Sequence, residues 1–170
     1  MDATALRAMQ APLKHRYKGD PKSAYITLKA KGTLDDTHIA CKVETGRALA
    51  VAGLHPATGG SGLELCSGDM LLEALVACAG VTLKAVSTAL DIPLKSGTVS
   101  AEGDLDFRGT LGVDKEAPVG FRQIRLRFDV DTDAPQEKLD QVLKLTERYC
   151  VVYQTIRNGP SVEIGLARAQ

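Results

Sequence analysis

The segment spanning residues 67–90 constrains the chain more than any other. At 3.6 residues per turn, Leu71, Leu72, Leu75, Val76, Ala79, Val81, Leu83 and Val86 cover nearly every face of a helix. A helix of that kind is buried on most sides, so the rest of the chain has to supply the layers around it. Ser67 or Asp69 is placed to cap its start, and Asp91-Ile92-Pro93 stops it, because the residue before a proline is biased out of helical geometry. The apolar run at residues 70–83 is interrupted by Glu73 and falls short of the roughly 20 residues that cross a bilayer, which predicts a core helix and no membrane span.

The flanking segments alternate and predict strands. At residues 24–30, Tyr25, Thr27 and Lys29 oppose Ile26, Leu28 and Ala30; residues 38–44 and 47–54 follow, joined at Thr45-Gly46, as an antiparallel meander. The stretch from His55 to Gly62 carries a proline and three glycines and reads as a loop. Beyond the helix, Val99, Ala101, Gly103, Leu105 and Phe107 point inward against Ser100, Glu102, Asp104 and Asp106. A glycine-rich loop at 109–120 leads to a second alternating run at 121–131, giving a long hairpin. Asp133-Ala-Pro-Gln opens a helix to about Arg148, with Asp133 as its cap. A second apolar segment runs from Cys150 to Ile156, Asn158-Gly159-Pro160 breaks it, and Val162, Ile164 and Leu166 form a last strand. Strands in blocks separated by helices predict an α+β fold with antiparallel sheet. Residues 24–170 are expected to make a single domain. Residues 1–23, with the basic run Lys14-His15-Arg16-Tyr17-Lys18, are expected to be a solvated N-terminal extension.

Several function classes are disfavoured. Twenty-one basic residues balance twenty-one acidic ones, aromatics make up 4% and tryptophan is absent, so neither nucleic acid nor a membrane surface is an expected partner. The first residues lack the pattern of a secretory signal, which predicts a cytoplasmic protein. Four cysteines are too few for a disulfide scaffold and show no zinc spacing, so they are expected as reduced thiols. Neither a Ser/His/Asp order nor a phosphate-cradling glycine motif is present, and His15, His38 and His55 are scattered without indicating a base.

Two thiols remain. Cys150 sits where one helix ends and another begins, where free amides and the helix dipole favour thiolate; Cys78, in mid-helix, has no such help of its own. Glu73 lies about 140° and Asp69 about 180° around the helix from Cys78, so both face elsewhere on a straight helix. On these grounds alone, a cysteine among Ala, Leu and Val reads first as a small apolar filler.

The run Asp69-Met-Leu-Leu-Glu-Ala-Leu-Val-Ala-Cys78-Ala-Gly, followed by a proline-stopped helix, a strand hairpin and Glu147-Arg-Tyr-Cys150-Val-Val, resembles the OsmC/Ohr family of osmotically inducible and organic-hydroperoxide-resistance proteins. The likeness covers about residues 24–168 and is nearest the divergent OsmC-like branch. It implies an intertwined homodimer, with antiparallel sheets wrapped around two long central helices. It also implies a thiol peroxidase that reduces organic hydroperoxides to alcohols, with Cys78 peroxidatic and Cys150 resolving through an intramolecular disulfide. No metal, haem or flavin is implied; a dithiol reductant of lipoyl type restores the thiols. Asp69 stands where many members carry Glu, with Gly68 before it instead of proline, and Val151 follows the second cysteine where many carry proline. Arg47 is the candidate for the family's activating arginine. Leu72, Leu75 and Val76 are expected to line the pocket. The alternatives are a non-enzymatic dimer that binds an apolar small molecule at its interface, and a thiol site of other redox chemistry in which Cys66 is a local partner.

Overall fold

In the computed structural model, residues 3–34, 41–43, 52–63, 65–166 and 168 are described. Helix α1 (Ala3–Gly19) leads through a short 3-10 turn into strand β1 (Tyr25–Leu34). Strand β2 (Cys41–Val43) pairs antiparallel with β1, with Gly32 opposite Val43 and Leu34 opposite Cys41. The other edge of β1 pairs antiparallel with β5 (Ser96–Asp106), and β5 with β6 (Gln123–Asp131), giving the order β2-β1-β5-β6. The α+β class with antiparallel sheet is therefore what the chain adopts. The meander is not: β3 (Ala52–Gly53) pairs parallel with β4 (Leu65–Cys66) as a separate ribbon. The Thr45-Gly46 turn, His38 and Arg47 lie outside the described residues.

Helix α2 (Ser67–Ala89) packs on β1 and β5 and, away from the sheet, on α4 (Gln136–Tyr149) and α5 (Val151–Asn158). Leu72, Val76 and Ala79 are fully buried and Leu75 nearly so. Enclosure is incomplete, since a stripe that includes Leu71, Ala74 and Val81 stays exposed. At 23 residues, with an 18-residue window of mean hydropathy 1.7, α2 is long and apolar enough by composition to cross a membrane, so length does not separate the two possibilities. Packing between sheet and helices is how its apolar residues are used in this fold.

Strand β5 alternates as its pattern dictates, with Val99, Ala101, Gly103 and Leu105 buried. It ends one residue before Phe107, which opens the single helical turn α3 (Phe107–Thr110) inside what reads as strand and loop. Asp106 is consequently not an outward residue. It is 1% exposed, accepts from the Arg108 amide at 3.1 Å and holds the Arg108 guanidinium at 2.6 Å. This clamp keeps its carboxyl below the usual range, with the Arg108 hydrogen bonds outweighing the cost of burial. Gly103 is needed for a close approach: a Cβ there would sit 2.4 Å from the ring of Phe121.

Caps and ends depart from expectation in three places. Asp133 does not cap α4: the N-cap position is Pro135, without a side-chain bond, and Asp133 pairs with Lys95 at 2.7 Å. Neither Ser67 nor Asp69 caps α2, whose N-cap is Cys66, so Asp69 lies within the first turn. Residues Val162, Ile164 and Leu166 form no strand; they are 78%, 95% and 102% exposed, because alternation yields a strand only where an edge is there to pair with it.

The basic segment is docked through one residue. Tyr17 is fully buried and its hydroxyl donates to the Ala57 carbonyl at 2.6 Å, while Arg16 and Lys18 on either side stay exposed. The bond joins α1 to the loop ahead of α2. Tyr17→Phe leaves that carbonyl unpaired in a buried place and is expected to lower stability by about 1–2 kcal/mol, read as a lower urea midpoint at unchanged slope.

Candidate active site

The site forms where α5 meets the middle of α2. On α2, Leu71, Leu75, Cys78 and Thr82 follow one another at i, i+4, i+7 and i+11, a single stripe of the helix. Across from it the chain breaks between α4 and α5. Cys150 has extended geometry (φ −72°, ψ 106°), so its amide still closes α4 onto the Thr146 carbonyl at 2.9 Å while its own position opens α5. Its Sγ accepts from the Tyr153 amide at 3.5 Å, as an N-cap side chain does. The thiol is 1% exposed; Cys78 is half-buried. Both thiols are free.

The break sets the α5 N-terminus and the Cys150 thiol close enough to Cys78 to shift the two thiols in opposite directions. Burial pushes the Cys78 thiol up. Against it act the amides of Val152 and Val151 at the α5 N-terminus, the Cys150 thiol and the Thr82 hydroxyl, and together they bring Cys78 below the ordinary thiol value. Thr82 has a single proton, and its oxygen also lies 2.7 Å from the Cys78 carbonyl, so thiolate and carbonyl compete for it. Cys150 moves the opposite way. Burial is the largest influence, the Tyr153 amide opposes it, and donation to the neighbouring Cys78 thiolate together with that negative charge keeps the proton on, so the thiol is pushed up to about 11.

The assignment made from sequence is thereby reversed for the helix terminus. The free amides of α5 serve Cys78, reached through tertiary packing, and Cys150, although it caps α5, stays protonated. Chemically the pair consists of one thiol whose ionisation is favoured and one adjacent thiol whose ionisation is opposed.

The other candidates stand elsewhere. Asp69 is nine residues ahead of Cys78, about 13 Å along the helix axis, and is not brought to the thiols within one chain. Its carboxyl is pushed up by burial and drawn partly back by His55. His55 is the residue missed in sequence reasoning, where nothing but its place before Pro56 marks it. Its Nδ1 accepts from the Ala57 amide at 3.0 Å, which assigns the proton of the neutral ring to Nε2. The ring stacks on Phe107 at 4.9 Å. Burial lowers its pKa and Asp69 raises it. Cys66, twelve residues before Cys78, is about 18 Å away along the axis and so is no local partner for it. Arg47 lies outside the described residues, and of Cys41 only its place in β2 is described.

A cleft of about 610 Å³ opens between α2, β6, α4 and α5, and neither Cys78 nor Cys150 lines it. Leu71 and Leu75 form one wall, Ile124, Leu126 and Phe128 of β6 the floor, and Tyr153 part of the opposite wall. Of the three residues expected to line a pocket, only Leu75 does. Leu72 and Val76 point into the core and are fully buried.

The family model for OsmC-like protein matches residues 59–165. Among solved structures, the fold is similar to that of an OsmC-like hydroperoxide resistance protein from Jannaschia sp. CCS1, with a TM-score of 0.62 and 12% sequence identity over 85% of this chain and 95% of that one. None of the curated proteins matches.

The unequal acidities of the two thiols are measurable. In a Cys41→Ser/Cys66→Ser background, thiolate absorbance is expected to rise in two separate steps, one below the ordinary thiol range and one near 11. Cys150→Ala, which removes the S–H donor, should slow alkylation of Cys78 at neutral pH several-fold. Cys150→Ser, which keeps a donor, should slow it less.

Proposed function

Because the chain belongs to the OsmC-like family and places Cys150 and the α5 N-terminus beside Cys78, we propose that it is a thiol-dependent peroxidase of organic hydroperoxides. The single observation that carries this reading is the unequal pair itself, a Cys78 thiol drawn below the ordinary value by the start of α5 beside a buried Cys150 thiol pushed above it. The Cys78 thiolate attacks the distal oxygen of the hydroperoxide. An S–O bond forms, the O–O bond breaks, and the alkoxide takes a proton from water to leave as the alcohol. The Cys150 sulfur then attacks the sulfenic acid, water departs, and a disulfide joins the two. A dithiol, of lipoyl type in this reading, supplies the two electrons that restore both thiols.

The protonation states put these steps in order. While Cys78 is a thiolate, its charge and its hydrogen bond help keep the proton on Cys150. Oxidation to the neutral sulfenic acid removes both influences, so Cys150 becomes easier to ionise once there is something for it to attack. No metal or organic cofactor is needed for this sequence.

The working unit in this proposal is a homodimer. The exposed apolar residues Leu71 and Val81 on α2 and Val162, Ile164 and Leu166 near the C-terminus are surface that a second copy would cover. A cytoplasmic setting fits, since its reductants keep cysteines as thiols. Asp69, paired electrostatically with His55, then acts on the partner's site or on the local structure of the α2 start.

Turnover of cumene hydroperoxide with a lipoyl dithiol tests the reading. The wild type should consume it faster than hydrogen peroxide, and Cys78→Ser should abolish consumption. Cys150→Ser should complete one turnover and stop, with the Cys78 sulfenic acid open to trapping by a cyclic dione. Absence of turnover together with absence of a Cys78–Cys150 disulfide after peroxide treatment would overturn the peroxidase and favour a dimer that binds an apolar molecule without converting it.

A further inference from the structure

The turn ahead of α2 is closed by a histidine that has to stay neutral to close it. His55 occupies the N-cap of the 3-10 turn Pro56–Thr58, and its Nδ1 accepts from the Ala57 amide at 3.0 Å. The His55 carbonyl closes the same turn, accepting from the Thr58 amide and hydroxyl, each at 2.8 Å, and from the Gly60 amide at 3.1 Å. Its ring stacks on Phe107 of α3 with 16° between the planes. An acceptor nitrogen exists only in the neutral ring, because the imidazolium carries a proton on both nitrogens. Protonation would set Nδ1–H against the Ala57 N–H, donor against donor, and leave that amide without its partner.

Ala57 is also where α1 is held. The Tyr17 hydroxyl donates to the Ala57 carbonyl at 2.6 Å, in a buried place. The residue whose amide an imidazolium repels is therefore the one whose carbonyl docks the helix. Among the described residues, the elements packed around the turn bring the following charges. From α2 comes Asp69, which favours the imidazolium, with Glu73 acting on Asp69 behind it. On α3, Arg108 is engaged by Asp106 and Asp114. On α1, Arg16 stacks over Tyr17 and donates to its hydroxyl at 3.3 Å, and Lys14, His15 and Lys18 complete the charges at that end. Burial of the ring outweighs the pull of Asp69, in keeping with a neutral acceptor.

We infer that His55 is an acid-sensitive latch, which in its neutral form holds the turn at residues 55–60 and, through Ala57, the docked helix α1, and which on protonation releases both. The docked form disfavours the proton, so the latch is closed above the ordinary histidine value of 6.5 and opens as pH falls from there through the lower value of the docked ring.

Hydrogen exchange on the full chain, with each rate divided by the intrinsic rate at that pH, reads the latch. Between about pH 7.5 and about pH 5, protection of residues 3–19 and 55–60 is expected to fall several-fold in the wild type while α4 keeps its own. In His55→Asn, whose side-chain oxygen caps the turn without titrating, protection should be the same at both pH values. Asp69→Asn, which removes the charge that favours the imidazolium, should move the fall to lower pH. Nitrogen NMR of the wild-type ring checks the geometry without a substitution: at neutral pH the proton of His55 should be on Nε2 and Nδ1 should be bare. Unchanged protection on acidification, a fall that persists in full in His55→Asn, or a ring protonated at Nδ1 while α1 stays docked would each overturn the latch. Peroxide turnover enters none of these readings, so the latch stands or falls separately from the peroxidase.

Discussion

Everything in this fold follows from having to enclose α2. A helix with apolar residues on nearly all faces cannot lie on a sheet as an amphipathic helix does; it needs cover on its far side as well. The antiparallel sheet covers one side through β1 and β5, and α4 and α5 cover another. Cover by α4 and α5 is what creates the site. Cys78 is deep enough to face a second layer, and the layer it faces is broken at Cys150.

The site shows how burial and activation are reconciled. Taking a thiolate out of water is costly, and burial alone would leave Cys78 as inert as any core cysteine. The fold offsets this with donors that cannot relax away: two backbone amides fixed by the start of α5 and a hydroxyl one turn along α2. Cys150 supplies a fourth donor only by staying protonated, so one thiol's acidity is maintained by the other's lack of it. A mid-helix cysteine has no free amides of its own. It acquires them from a helix distant in sequence, and the geometry survives only while α4 and α5 stay packed on α2.

That division explains what was legible beforehand. Period-two and period-3.6 patterns are local, and they correctly marked the strands through Ile26, Val99 and Leu126, the burial of Leu72 and Leu75, and the break between two helices at Cys150. The order and spacing of Cys78 and Cys150 carried the family. What escaped was decided by partners far along the chain. Asp106 alternates as an outward residue, but Arg108 folds back on it and buries it. Tyr17 sits within a basic run that reads as solvated, and its hydroxyl finds Ala57 forty residues away. His55 and Asp69 are fourteen residues apart with a 3-10 turn and β4 between them, so no periodicity joins them. Val162, Ile164 and Leu166 have the alternation of a strand without an edge to join. The recipient of the α5 amides was hidden for the same reason, since Cys78 and Cys150 meet only after the layers have formed.

The junction at Cys150 therefore carries more than its sulfur. An uninterrupted helix through residues 136–158 would bond the amides of Val151 and Val152 to carbonyls four residues back, and nothing would be left to hold a charge on Cys78. The turn to extended geometry at one residue frees those amides, buries the Cys150 thiol against its partner, and swings α5 so that Tyr153 and Arg157 continue along the cleft. The position of Cys150 beside Cys78 and the run of Tyr153 and Arg157 along the cleft are thus set by a single backbone break. It is stabilised from both sides, by the Cys150 amide closing α4 and by the Cys150 sulfur capping α5. A side chain of similar size without a sulfur or hydroxyl acceptor would lose the second of these.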